Sequence, residues 1–255
     1  MSEIHRAAYD GDVEQLRREL AAGVSPNARL PQEGAYGTPL FCVCCGAAET
    51  DHAALPREFA DYVTCCKILL EAGANVNARD DFGDLPIYYT ANNIVSGQGG
   101  HQTEVAVELM RILVEAGADV QATGGTLSRT SLHSVARTGR VDAITLLLKA
   151  GARVNARDAD NRTPLFFAMV NNKSRAFPVL LRFGADLPAQ TELTELQDYT
   201  DDRYLRAVID AGGFGRYAQR HLSKLMLSFA PKFSDRLPPE LVRTVLGFWL
   251  HAGYY

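Results

Sequence analysis

A chain of 255 residues can bury a large core, and its 47% hydrophobic and 22% charged residues exclude both a disordered tail and a cysteine-dense secreted mini-domain. The formal net charge of -4 is too small to direct the molecule as a whole to nucleic acid or to an anionic membrane. The opening MSEIHRAAYDGDVEQL is charged where a signal peptide is apolar, and no stretch approaches the roughly 18 uninterrupted apolar residues of a membrane span. Five cysteines, an odd number gathered as Cys42, Cys44, Cys45 and Cys65, Cys66, read as reduced thiols rather than a disulfide framework. The expected compartment is the cytoplasm or the nucleus.

Along the chain one phrase recurs: LAAGVSPNAR at 20–29, LEAGANVNAR at 70–79, VEAGADVQAT at 114–123, LKAGARVNAR at 148–157 and LRFGADLPAQ at 181–190. Gly73, Gly117, Gly151 and Gly184 each follow an apolar helical run, where a left-handed cap needs a residue without a side chain. The last three lie about 33 or 34 residues apart, and the earlier intervals are longer. A second phrase precedes these glycines: GTPLFCVCCG at 37–46, DLPIYYTANN at 84–93, RTSLHSVARTG at 129–139 and RTPLFFAMVNN at 162–172. Thr38 and Thr163 are placed to cap a helix through their hydroxyls, and Pro39 and Pro164 occupy the first helical position. VDAITLLLKAG at 141–151 then supplies a second helix, with apolar residues at helical spacing.

These phrases resemble the ankyrin repeat, D-x-x-G-x-T-P-L-H-x-A, a turn, a second helix and G-A-x-V-N-A. The resemblance covers residues 1–190 and implies an all-α solenoid of five helix-turn-helix units: 1–29, 30–79, 80–123, 124–157 and 158–190. A C-terminal helical tail, 191–255, follows. It implies a monomeric protein-interaction scaffold rather than an enzyme, with a protein partner in the groove of turn tips and first helices, around Asp81, Tyr89, Arg137 and Asn161. No cofactor, metal, nucleic acid or membrane is implied. His5 and His133 stand at the pattern's His position, and Phe41, Tyr88 and Phe166 replace it elsewhere. The family's asparaginyl hydroxylation pattern is matched by Asn77 with Leu69 and by Asn155 with Leu147. Pro178 is expected to kink or shorten the second helix of the fifth unit.

Other chemistry is weaker. Cys44, Cys65 and Cys66 align with small apolar core positions, whereas Cys42 and Cys45 are less constrained, and adjacent cysteines are poor zinc geometry. The remaining histidines have no catalytic spacing, and GQGGH at 97–101 lacks the ending of a phosphate loop and reads as a flexible loop. Arg129, Arg137, Arg140, Lys149, Arg153 and Arg157 read either as a wetted face or as a docking site for an acidic peptide, and the acids Glu192, Glu195, Asp198, Asp201 and Asp202 offer an intramolecular alternative. Insertions at 46–61, with Leu55 and Phe59 as apolar anchors, and at 92–102 are expected as rim loops, the first ordered and the second mobile. The tail reads as helices near 202–211, 215–229 and 238–250. Within it RLPPELVRTVLGFWL at 236–250 resembles the opening of an F-box, and HLSKLMLSFA at 221–230 resembles part of a SOCS box less well. The F-box likeness implies that Leu237, Pro238, Leu241 and Trp249 recruit a ubiquitin ligase, with the chain as its substrate-recognition adaptor.

Overall fold

The computed structural model describes residues 2–29, 37–47, 59–96, 100–188 and 202–233. Five helix pairs follow one another: α1 (Glu3–Asp10) with α2 (Val13–Ala21), α3 (Pro39–Gly46) with α4 (Phe59–Glu71), α5 (Pro86–Ser96) with α6 (Gly100–Glu115), α7 (Ser131–Thr138) with α8 (Val141–Lys149), and α9 (Pro164–Val170) with α10 (Phe177–Arg182). The first helices stack in one row, α1, α3, α5, α7, α9, and the second helices form a parallel outer row. One continuous core runs between the rows, from Ile4 through Leu69, Leu113 and Leu147 to Leu180. Two further helices follow, α11 (Arg203–Asp210) and α12 (Phe214–Phe233), and Leu205 and Val208 of α11 join the same core. The third tail helix expected near 238–250 lies outside the described residues.

The recurring glycines cap the outer helices as their sequence context demands. Gly73, Gly117, Gly151 and Gly184 have φ of 88°, 87°, 90° and 89°, a region that costs a residue with a Cβ strain. Just beyond Gly23, Gly73, Gly117 and Gly151, a side-chain amide bridges to the next unit. Asn27 donates to the Gly73 carbonyl (2.9 Å) and accepts from the Asn75 N–H (2.7 Å), and Asn77 does the same with Gly117 (3.2 Å) and Asp119 (2.8 Å). Gln121 bridges to Gly151 and Arg153, and Asn155 to Gly184 (3.0 Å) and Asp186 (2.8 Å). Every junction between consecutive pairs carries one such staple.

Several expectations change. Both ends of the insertion at 92–102 are helical: α5 continues to Ser96, with Ile94 buried, and α6 begins at Gly100, while residues 97–99 lie outside the described residues. Burial of Ile94 on one side and of Val105, Ala106 and Leu109 on the other favours carrying each helix into the insertion. Pro178 interrupts no helix, because a 3₁₀ segment, Ser174–Ala176, leads into α10 and places the proline in its first turn. The outer helix of the fifth pair is short for that reason. Thr163 accepts from the Phe166 N–H (3.3 Å), whereas the Thr38 hydroxyl is buried and makes no hydrogen bond among the described residues. Unit four opens on a two-stranded hairpin, Thr123–Gly124 against Arg129–Thr130.

Ser131 stands at the helix step that proline occupies in α3, α5 and α9. Its hydroxyl is buried without a partner among the described residues, and Thr130 before it has the extended backbone (φ -83°, ψ 163°) that a following proline requires. Ser131→Pro should raise stability by about 0.5 to 1 kcal/mol in urea titration, through a stiffer unfolded chain and one fewer orphan hydroxyl. Leu147, fully buried in α8, should cost about 2 to 5 kcal/mol on replacement by alanine in the same assay.

Candidate functional site

The turns that lead into the first helices form a row of fingertips beside the inner helices, and their geometry begins with one aspartate. In the third unit the Asp80 N–H donates to the Asp84 carbonyl (3.0 Å), while Asp80 Oδ1 accepts from the Phe82 N–H (2.9 Å) and the Asp84 N–H (2.8 Å). In the fifth unit Asp158 ties the same knot with Arg162 and Asp160. The turn needs a positive φ one residue before its end, supplied by Gly83 (81°) and by Asn161 (64°), since asparagine tolerates that region better than most side chains. Asn161, expected as a contact residue, is therefore first a turn former, and its side chain is exposed.

The two turns present different groups. Phe82 is 74% exposed at the tip of the third unit, held on a hydrogen-bonded backbone, and Asp160 takes the equivalent place in the fifth. Asp81 beside Phe82 pairs with Arg29 of the first unit (3.4 Å). Gly125 of the unit-four hairpin donates to Asp84 Oδ1 (2.7 Å), and Leu127 accepts from the Ala159 N–H (2.9 Å). Three fingertips are thus tied side by side. Phe82 was not legible as a contact because its position in the repeat pattern is free, although an aromatic residue at a free turn position is the signal that could have marked it.

Behind the tips lies an ion-paired aromatic cluster. The Asp158 carboxylate is fully buried, and its Oδ2 takes Arg129 (3.3 Å) and Arg162 (3.0 Å). Both guanidiniums face the Phe167 ring, 4.6 and 5.2 Å from its centre, and Phe167 meets His133 edge-on at 5.7 Å. Burial pushes the Asp158 carboxyl up, but the Arg162 amide and the two guanidiniums outweigh it and hold it below the ordinary carboxylate range. Among the described residues no guanidinium pairs with Asp80, and burial, with Asp84 and Asp81 close by, raises it. His133 accepts from the Thr130 N–H (3.1 Å) and donates through Nε2 to the Arg162 carbonyl (3.0 Å), and burial lowers its pKa.

On the inner helices Tyr89 is half-buried and leans on Phe41, with ring centres 5.0 Å apart, and Arg137 is half-buried at the end of α7, near Tyr88. Phe59 is the first residue of α4, and Leu55, Leu237, Pro238, Leu241 and Trp249 lie outside the described residues. All five cysteines are buried, Cys42 and Cys45 as fully as the others. Burial, with Cys44 adding to it, pushes the Cys42 thiol up to about 12, and burial takes Cys44 to about 11, so neither is a ready thiolate. Among the described residues no group of His, Cys, Asp and Glu is arranged to hold a metal, and no helix is long and apolar enough to cross a membrane.

A family model described as ankyrin repeats (3 copies) matches residues 52–158 and 101–191, together more than half of the chain. The chain belongs to the ankyrin-repeat family. It carries that family's protein-interaction module. The E3 ubiquitin-protein ligase KEG of Arabidopsis thaliana is 34% identical over 224 residues, 74% of this chain and 13% of that protein. SH3 and multiple ankyrin repeat domains protein 2 of Homo sapiens is 26% identical over 248 residues, 88% of this chain and 12% of that protein. The neurogenic locus Notch protein of Drosophila melanogaster is 34% identical over 112 residues, 42% of this chain and 4% of that protein. The chain spans a small part of the length of each relative.

The two turn aspartates, Asp80 and Asp158, give opposite expectations. Because the folded pKa of Asp158 is depressed, the stability its charge confers is present above the ordinary value of 3.8 and is lost as pH falls through the folded value. Asp158→Asn should lower the melting temperature at neutral pH, by about 1 to 3 kcal/mol in stability, and flatten the acid limb of the profile. Asp80 is raised, so its charge opposes folding at neutral pH, and Asp80→Asn, which keeps the accepting oxygen, should leave the melting temperature equal or higher. Melting curves of the three proteins between about pH 3 and 7 check both.

Proposed function

We propose that this ankyrin-repeat chain is a binding scaffold that holds a partner protein along the fingertips and inner helices, with Phe82 as its anchor. The observation that carries this reading is the exposure of Phe82 on a turn already fixed by Asp80, so that little ordering remains to be done on binding. Asp81, Tyr89, Arg137 and Asn161 form its surroundings, and α11 and α12, in the region 191–255, act as the C-terminal cap that a solenoid needs. The rim contribution rests on the insertion at 46–61, of which residues 48–58 lie outside the described residues. A cytoplasmic or nuclear setting suits five buried cysteines that form no disulfide among the described residues. Asn77 and Asn155 are proposed hydroxylation targets, which a hydroxylase would first have to unlatch from Gly117 and Gly184.

The identity with the plant E3 ligase favours one further reading, in which the same surface holds a client and the tail recruits ubiquitin-ligase components. The full chain, Phe82→Ala, Arg137→Glu and a form lacking residues 234–255 should be compared by quantitative affinity capture. Phe82→Ala and Arg137→Glu are expected to lose a common partner set by about tenfold or more with unchanged melting temperature. Equal capture by all three full-length proteins would remove the surface assignment. Selective loss of ligase components from the truncated form would favour the adaptor reading.

A further inference from the structure

The six basic residues of the fourth unit do not form one patch. Arg129 is held in the aromatic cluster, Arg137 lies at the end of an inner helix, and Arg153 and Arg157 sit on the loop that carries the staples. Arg140 and Lys149 instead line a groove on the outer row, where they meet Arg111 of α6 and Arg175 of the 3₁₀ segment. The groove has a volume of about 750 Å³ and crosses three consecutive units, so no single stretch of sequence displays it.

Not all four cations are available. Arg140 is forked on Asp142 (3.1 and 2.7 Å), and Arg111 is paired with Glu108 (3.2 Å). Glu104 also faces Arg140, so this side of the groove is largely neutralised. Lys149 and Arg175 are exposed and make no ion pair among the described residues, and Lys173 packs against Gly139 at the groove's edge. The wall between them is apolar: Val141 is 36% exposed, which is unusual among the large hydrophobic residues described here, and Leu146 is half-buried. Free cations beside an aliphatic strip fit a chain that carries carboxylates and an aliphatic side chain close together.

We propose that this outer groove is a second docking site, for an acidic peptide segment of a partner protein, with carboxylates on Lys149 and Arg175 and an aliphatic side chain on Val141 and Leu146. It lies on the opposite row of helices from the fingertip surface and does not depend on that reading. Arg175 and the α8 residues come from adjacent units, so the site exists only when the two are stacked. Its carboxylate contacts are exposed, and binding weakens with salt.

The test uses the full chain and a fluorescein-labelled peptide Glu-Leu-Glu-Glu-Leu-Asp, followed by anisotropy, against the same peptide with Gln and Asn in place of the acids. The acidic peptide is expected to bind and the amide peptide not to. Lys149→Glu with Arg175→Glu should weaken binding at least tenfold and Val141→Ser severalfold, whereas Arg220→Glu on α12 and Phe82→Ala should leave it within twofold. Should the double reversal fail to fold, Lys149→Gln with Arg175→Gln takes its place, with the same direction expected. Equal binding of the two peptides, a double variant within twofold of the parent, or loss of binding in Phe82→Ala would each overturn the proposal.

Discussion

The architecture depends on the amide staple at each junction. A loop that leaves an outer helix carries backbone N–H and C=O groups that no strand or helix satisfies, and water or a side chain must take them. A carboxamide offers a donor and an acceptor a short distance apart, so Asn27, Asn77, Gln121 and Asn155 can each satisfy one of each kind in the next unit. Each staple is partly wet and contributes only about 1 kcal/mol. Its larger effect is on register. Apolar contacts between helices are non-directional and tolerate sliding, whereas two hydrogen bonds on one planar group fix where the next loop sits. The fingertips inherit that position.

Electrostatics then differentiates fingertips that share a backbone. Asp80 and Asp158 make the same turn, yet one carboxylate is left to its desolvation and the other is neutralised by Arg129 and Arg162. The guanidiniums serve twice, pairing with the aspartate and covering Phe167. The fifth unit keeps Phe167 under a layer of charge and presents Asp160 at the tip where the third presents Phe82. Recognition chemistry varies from unit to unit over a constant turn, which is how a repeat acquires specificity without altering its frame.

The sequence was legible where a residue type has one physical use. Glycine after an apolar run announced each cap, and the apolar period of VDAITLLLKAG announced an outer helix. The V-N-A step was legible as a phrase but not as a bridge, because nothing local says that Asn77 reaches Gly117 in the next unit. At 92–96 and 100–102 glycine and asparagine suggested a loop, whereas the burial of Ile94 and Val105 carries helix into both ends of that stretch. Cys42 and Cys45 looked unconstrained because helical spacing assigns them to no single face. In a short inner helix squeezed between neighbours every face is covered, and all residues of α3 are buried. Phe82 and the outer groove were invisible for a related reason: exposure and assembly across units are properties of the stack.

The staples sit along a single edge, like the stitching of a book. There the distance between neighbouring units is pinned by pairs of hydrogen bonds, while on the far edge it is set by side chains that slip past one another with little resistance. A stack bound on one side bends more easily than it stretches. Its softest deformation is a fanning of the helices about the stitched edge, which alters curvature and leaves the pitch of the fingertips unchanged. A partner that reads those tips meets a ruler of constant spacing, and one that grips the opposite edge meets a jaw whose opening adjusts to fit.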